Sequence, residues 1–145
     1  MILYINTTGE EKVALALGKA GKLVAKKEFK AKYQQSEKLL PAIDLILQKA
    51  KIKPKDLSGI VVVKGPGPFT ATRVGVTVAN ALGYTSNIKT TGIQKSEFRN
   101  QAELVMKGYE KLLRMKKKRG SMIVEPVYDR EPNITINNYK LRIKK

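Results

Sequence analysis

The sequence predicts a single α/β domain, a mixed sheet that has three antiparallel strands first and helices packed on it. Three observations predict this class: β-rich apolar runs at 2–7, 12–18 and 22–30, helical periodicity after them, and a buried-type strand between two helical segments. The chain has 145 residues, which suits one domain with a core, and 42% of them are hydrophobic.

Short turns separate the opening runs, so we expect them to form consecutive strands. Thr7-Thr8-Gly9 ends the first run. Ala20-Gly21 lies between the second and third runs and is typical of a hairpin turn. Strands joined in this way pair antiparallel.

The segment 36–51 is the first predicted helix. Ser36 is its expected N-cap. Pro41 fits only near the first turn of a helix, so we expect the helix to start late or to kink there. Its apolar residues recur at helical spacing and are Leu39, Leu40, Ile43, Ile46, Leu47 and Ala50.

Residues 59–64 form a short, nearly all-apolar and β-branched run, which predicts a strand buried on both faces. A turn rich in glycine and proline follows it. Residues 70–84 then predict a second helix, with Thr70 as its N-cap and with many small residues that permit close packing.

The rest of the chain predicts a short strand at 87–91 and a third helix from about Gln94, which Gly120 ends. The order is β-β-β-α-β-α-β-α, so the later strands are joined by parallel crossovers. We therefore expect one lobe at 1–120 and a C-terminal tail at 121–145.

Three missing residue types exclude several chemistries. The chain has no Cys, so a thiol nucleophile, a disulfide framework and a zinc–thiolate site are excluded. It has no His, which excludes a Ser-His-Asp triad, and it has no Trp. We predict no cofactor and no metal. The apolar runs are too short to span a membrane, and the first residues lack the basic region of a signal peptide, so we expect a cytoplasmic protein.

The chain is strongly basic, with 29 Lys or Arg against 12 Asp or Glu and a formal net charge of +17. Such a charge favours association with anions such as RNA. The basic residues are widely spread, which also fits lysines that only solvate the surface. The dense run 116–119 stands where the third helix should end, and cations are favourable at a helix C-terminus.

The most specific segment is 65–75, a glycine-rich turn and helix start after the buried strand. Backbone N–H groups at such a corner can hold an anion, and we name Gly65, Gly67, Thr70 and Arg73 as candidates. The segment is not a P-loop, because Gly-Lys-Ser/Thr is missing at the required spacing. On the residues alone, a structural corner is favoured over a phosphate site.

This segment resembles the GPGSFTGxRxG signature of the TsaB (YeaZ) family. Three further stretches are similar to the family's motifs in the same order: 2–8 to its I-D-T-S strand, 35–41 to its H-S-E-x-L-L-P helix start, and 126–130 to its P-x-Y-L-R. The resemblance covers about 1–93 and returns at 125–132.

The resemblance implies a lobe of the sugar-kinase, Hsp70 and actin type, which is ribonuclease H-like. It also implies a role in threonylcarbamoyl modification of a tRNA adenosine, as a non-catalytic subunit. The implied partners are a TsaD-like catalytic subunit and, through the complex, a TsaE-like ATPase; tRNA contact is electrostatic or indirect. The candidates for tRNA contact are Lys116, Lys117, Lys118 and Arg119.

In the family, the first two helices build the pairing surface, here about 36–51 and 69–84. A homodimer through the same helices is the alternative use of this surface. The expected interface residues are Leu39, Leu40, Ile43, Leu47, Ala71, Val74, Gly75, Val78, Ala79 and Leu82.

The chain departs from the family pattern at two polar positions and in length. Asn6 stands where the family has an acidic residue, and Gln35 stands where it has His. Most of the second lobe is missing between the third helix and the P-x-Y motif. These departures argue against catalysis by this chain alone. The competing hypotheses are a stand-alone RNA-binding module and, last, a kinase-like or peptidase-like enzyme that uses the glycine-rich loop.

Overall fold

A computed structural model describes residues 1–115 and 123–128. The strands are β1 (Ile2–Asn6), β2 (Lys12–Lys19), β3 (Lys22–Lys30), β4 (Gly59–Gly65) and β5 (Thr90–Gln94). The helices are α1 (Gln35–Lys49), α2 (Phe69–Ser86) and α3 (Gln101–Arg114), and single 3-10 turns cover Pro54–Asp56 and Lys95–Glu97.

The five strands form one mixed sheet in the order β3-β2-β1-β4-β5. β1, β2 and β3 pair antiparallel, whereas β4 pairs parallel with both β1 and β5. This confirms the predicted class, including the three antiparallel strands at the start. The hairpin at Ala20-Gly21 is also confirmed: both residues have positive φ, 52° and 80°, as the tightest hairpin turns require.

Helices cover both faces of the sheet. Successive residues of a strand point to opposite faces, so Leu3 and Ile5 pack toward α1 and α2, while Ile2 and Tyr4 pack toward α3. The Tyr4 hydroxyl donates a hydrogen bond of 2.7 Å to the Val105 carbonyl. Burial, with a smaller contribution from Tyr109, raises the pKa of the Tyr4 hydroxyl.

Helix α1 begins differently from the prediction. Its N-cap is Gln34, whose side chain makes no capping hydrogen bond, so Ser36 lies inside the first turn and is not the cap. Pro41 lies within the helix, and the helix does not start after it. Pro41 has no N–H, so the carbonyl of Glu37, four residues earlier, lacks its usual helical hydrogen bond. Both residues are exposed, so water can bind this carbonyl, and the proline is tolerated.

The predicted boundaries after α2 were wrong by several residues. The last strand is Thr90–Gln94 and not 87–91, so Gln94 ends a strand where we expected it to begin a helix. α3 begins at Gln101 because Asn100 caps it, with the Asn100 Oδ1 accepting from the Glu103 N–H at 2.9 Å. It ends at Arg114.

Gly120 was predicted to end α3, but the helix ends earlier, at Arg114. Gly120 itself lies outside the described residues. The basic run predicted to contact tRNA lies outside them as well: Lys116, Lys117, Lys118 and Arg119.

Helix α2 approaches the end of β1 through a glycine. A Cβ at Gly75 would collide with the Oγ1 of Thr7. That hydroxyl donates a 2.6 Å hydrogen bond to the Ala71 carbonyl one turn earlier in α2. The helix and the strand are thus joined by close packing and by one buried hydrogen bond.

We expect Gly75→Val to lower the free energy of unfolding by roughly 1–3 kcal/mol, because the added methyl groups overpack the contact with Thr7. Urea unfolding measures this. Thr77→Val is the matched control, since Thr77 is exposed on the same helix, and we expect a change within about 0.5 kcal/mol. Equal losses in the two variants would contradict the close-packing account.

Candidate functional site

The glycine-rich loop turns the chain from the top of β4 into α2. Gly65 has a φ of 122°, a conformation that favours glycine. α2 begins at Phe69 with Pro68 as its N-cap, and no side chain caps it. The prediction that Thr70 is the N-cap was wrong, because Thr70 already lies inside the first helical turn, where it is exposed.

Protein atoms fill the space beside both loop glycines. The carbonyl oxygen of Val127 occupies the position that a Cβ of Gly65 would take. A Cβ at Gly67 would lie 2.8 Å from both the Thr72 Oγ1 and the Thr8 Cβ. These glycines therefore serve close packing within the chain, as a structural corner requires.

The four anion-site candidates do not converge on one point. Gly65 and Gly67 face the protein atoms just described, whereas Thr70 and Arg73 are exposed and line a cleft on the outer side of α2. Whether any of them binds an anion stays a prediction.

Residues 123–128, here called the docked segment, lie against the loop and α2. The Val127 N–H donates to the Lys64 carbonyl at 2.6 Å. Asn80 and the Val124 backbone exchange two hydrogen bonds of 2.9 Å each, one in each direction. The ring centroids of Tyr128 and Phe69 are 4.4 Å apart. The resemblance marked part of this segment as a motif, but nothing in the sequence showed what it contacts.

The position of the docked segment bears on the predicted division into a lobe at 1–120 and a tail at 121–145. Val124 is buried in the core on the α1 and α2 side of the sheet. This part of the predicted tail therefore packs as part of the lobe. The division itself stays a prediction.

The two polar positions that depart from the family pattern hold neutral amides. The Asn6 Oδ1 accepts hydrogen bonds from the Thr8 N–H at 3.0 Å and from the Thr8 hydroxyl at 2.6 Å, so it closes the turn after β1. Gln35 is buried, with 7% of its surface exposed. Neutral amides add no negative charge, whereas sites for divalent cations usually include carboxylates. Within residues 1–115 and 123–128, no three His, Cys, Asp or Glu residues are grouped as metal ligands.

The expected partner interface needs correction at six of its ten residues. Six of these residues are buried in the chain's own core, because the apolar face of each helix covers the sheet. They are Leu39, Ile43, Leu47, Ala71, Gly75 and Ala79. The other four remain at the surface or half-buried: Leu40, Val74, Val78 and Leu82.

An apolar surface remains between the outer sides of α1 and α2. Two adjoining clefts of about 530 and 320 Å³ share Ser36, Phe69, Thr70 and Val74 as lining residues. Leu40 is 51% exposed and lies one helical turn after Ser36 on the same side of α1. We call Leu40, Phe69, Val74 and Val78 the α1–α2 surface.

The sheet order and the helices on both faces give this lobe a fold like that of the sugar-kinase, Hsp70 and actin class. The solved structure titled "YeaZ from Pseudomonas aeruginosa" has this fold and superposes with a TM-score of 0.59 and 22% identity, over 64% of this chain and 43% of that one. No helix in the described part of the chain is long and apolar enough to cross a membrane.

Sequence comparison gives the family. The sequence model of the family described as "TsaD: tRNA N6-adenosine threonylcarbamoyltransferase" matches residues 29–110, more than half of the chain. The chain belongs to this family, and over part of its length it is a TsaB/YeaZ-type member.

Two curated relatives show how much of a longer protein this chain spans. It is 33% identical over 96 residues to the tRNA threonylcarbamoyladenosine biosynthesis protein TsaB of Bacillus subtilis, which is 66% of this chain and 42% of that protein. It is 41% identical over 59 residues to the tRNA N6-adenosine threonylcarbamoyltransferase of Legionella pneumophila, which is 41% of this chain and 18% of that protein. The chain thus spans less than half the length of these relatives.

We expect Asn80→Ala to loosen the docked segment, because it removes both hydrogen bonds to Val124. The free energy needed to open the docked segment should fall by roughly 1–3 kcal/mol for two hydrogen bonds. The Val124 amide hydrogen should therefore exchange about 5- to 150-fold faster. Hydrogen exchange followed by NMR measures this. Thr77→Ala, at an exposed position of the same helix, is the control and should leave the exchange of the Val124 amide hydrogen unchanged. Unchanged protection in Asn80→Ala would contradict the account.

Proposed function

We propose that this chain is a non-catalytic subunit in the N6-threonylcarbamoyladenosine modification of tRNA, and that it pairs with a TsaD-like catalytic subunit. The observation that carries the proposal is the α1–α2 surface, which exposes large apolar side chains beside two clefts. Family membership and the TsaB relatives support the pathway.

Part of this apolar surface serves the fold, because Phe69 packs on Tyr128 and because Val74 and Val78 pack against the core, whereas Leu40 lies outside that core. The sheet face under α1 and α2 is already covered by the buried residues of both helices. Leu40 and Phe69, at 51% and 38% exposure, lie outside that core. An apolar centre with a polar rim, here Lys32 and Arg73, is the usual composition of a protein–protein interface.

A non-catalytic role is supported by the two amides. Asn6 is engaged in closing its own turn, and Gln35 is buried, so neither offers the charged ligand that metal-dependent transfer needs. The loop glycines pack against protein atoms, which gives the kinase-like or peptidase-like alternative no support. The proposal keeps the expectations of a TsaE-like ATPase in the complex and of a cytoplasmic location.

A specific observation favours a second candidate function, direct RNA binding. The net charge is +17, and many lysines lie at one end of the sheet. This function is compatible with pairing, because the lysines lie away from the α1–α2 surface.

We expect Leu40→Glu to prevent pairing, because it places a charge in the apolar centre of the interface. Leu45→Glu is the matched control: Leu45 is 46% exposed on the same helix but points about 140° away from Leu40. The measurement is co-expression with the TsaD-family protein of the same genome, followed by size-exclusion chromatography with light scattering.

Thermal unfolding of both variants verifies that each is folded. If Leu40→Glu pairs as well as both the wild type and Leu45→Glu, the α1–α2 surface is not the interface. If the wild-type chain elutes separately from its expected partner, the pairing itself is refuted. A wild-type dimer of this chain that Leu40→Glu abolishes and Leu45→Glu keeps would support the homodimer through the same helices.

A further inference from the structure

We propose that the end of the sheet at which β1, β4 and β5 begin binds the phosphodiester backbone of a folded RNA. The choice of RNA over other polyanions rests on the proposed function, whereas the surface itself is an independent observation. We define this surface, the basic end, by six lysines: Lys19, Lys22, Lys51, Lys53, Lys55 and Lys89.

Strand pairing sets three of these lysines in one row. Lys19 pairs with Lys22 at the β2–β3 hairpin. The neighbouring Gly18 pairs with Ile2 at the start of β1. On the other side of β1, Ile2 also pairs with Gly59, the first residue of β4. The next residue of β4, Ile60, pairs with Thr90 at the start of β5, directly after Lys89. The row therefore crosses all five strands, a width of about 20 Å at the usual strand spacing.

The connections on the α1 and α2 side add the other three lysines. Lys51, Lys53 and Lys55 are exposed and follow α1, in the connection that leads to the start of β4. Lys55 and Lys89 line the same cleft of about 360 Å³. The remaining lining residues of this cleft are Leu57, Ser58, Ser86, Asn87 and Ile88.

Acidic residues offset only part of the charge of the basic end. Asp56 directly follows Lys55, and Glu110 lies in the last turns of α3. Asp56 accepts the backbone N–H of Lys53 at 3.0 Å, and Glu110 pairs with Arg114 at 3.7 Å. None of the six lysines forms an ion pair with another residue of the described ranges. Acidic residues collect instead toward the opposite end: Glu10, Glu11, Glu37, Glu97 and Glu103.

Helix dipoles do not account for this cluster. A cation is stabilised in the last turn of a helix, and Lys49 occupies that position in α1. α2 has no basic residue in its last turn. Lys51, Lys53 and Lys55 lie beyond α1, and Lys89 directly precedes β5. Like charges brought together without acidic partners repel one another, so their placement needs another reason, and an anionic partner supplies it.

Two observations favour RNA as that partner. Tyr84, in the last turn of α2, is 75% exposed, and its carbonyl accepts the N–H of the cleft residue Asn87 at 3.3 Å. Exposed aromatic rings can stack on unpaired bases of folded RNA. In addition, the α1–α2 surface runs from the first turn of α2 to its middle and does not reach the last turn of either helix. A chain paired there keeps the basic end open to RNA.

The test is binding of unfractionated tRNA to the full chain over a series of salt concentrations. The first variant changes Lys51, Lys53, Lys55 and Lys89 to Gln. The matched control changes four lysines at the opposite end to Gln: Lys12, Lys30, Lys38 and Lys95. Both variants lose the same net charge, so only the position of the charge differs. Circular dichroism verifies the fold of each.

We expect the first variant to bind tRNA at least tenfold more weakly than the control variant at about 0.1 M salt. The slope of log K against log salt should fall in magnitude by about 2 to 4, since each lost phosphate contact removes about 0.9. Equal weakening of both variants would overturn the proposal, because net charge alone would then explain binding. It would also be overturned if the wild-type chain bound phosphatidylserine vesicles but not tRNA.

Pairing with the TsaD-family protein, measured on the same variants, separates this inference from the proposed function. Loss of tRNA binding in the first variant alone, with no pairing even by the wild type, would refute the proposed function and support the basic end. Normal pairing with equal tRNA binding by both variants would refute only the basic end.

Discussion

The parallel pairing of β4 with β1 and β5 is the constraint on which the rest of this structure depends. β4 is buried on both faces, so helices must cover both sides of the sheet. Its parallel direction requires α2 to return the chain along one face before β5 can pair. The corner between β4 and α2 therefore lies at the top of the sheet, beside the end of β1.

At this corner, the glycines serve close packing within the chain. Gly67 packs against Thr8 and Thr72, Gly75 packs against Thr7, and the docked segment fills the space beside Gly65. The glycines allow backbones and side chains of the same chain to approach. The two surfaces proposed for function, the α1–α2 surface and the basic end, both lie away from this corner.

Much of the fold was predictable because it depends on local patterns. The three antiparallel strands, the Ala20-Gly21 turn and the buried β4 run follow from side-chain alternation and turn chemistry. The start of α3 was missed because Asn100 caps the helix there. The start of α1 was missed because the helix has no side-chain cap and because it continues through Pro41, with its buried face packed on the sheet. The family resemblance, carried by four short motifs, is confirmed.

The sequence by itself determined the order of elements, the class of fold, the family and the excess of positive charge. Only the tertiary structure decided which side of each helix faces the core, so it removed residues such as Leu39 and Ala79 from the expected interface and left Leu40 at the surface. It also gathered Lys19, Lys55 and Lys89 at one end of the sheet. The physical reason is that periodicity shows which residues share a helix face, while strand register and packing decide what that face touches and which distant charges become neighbours.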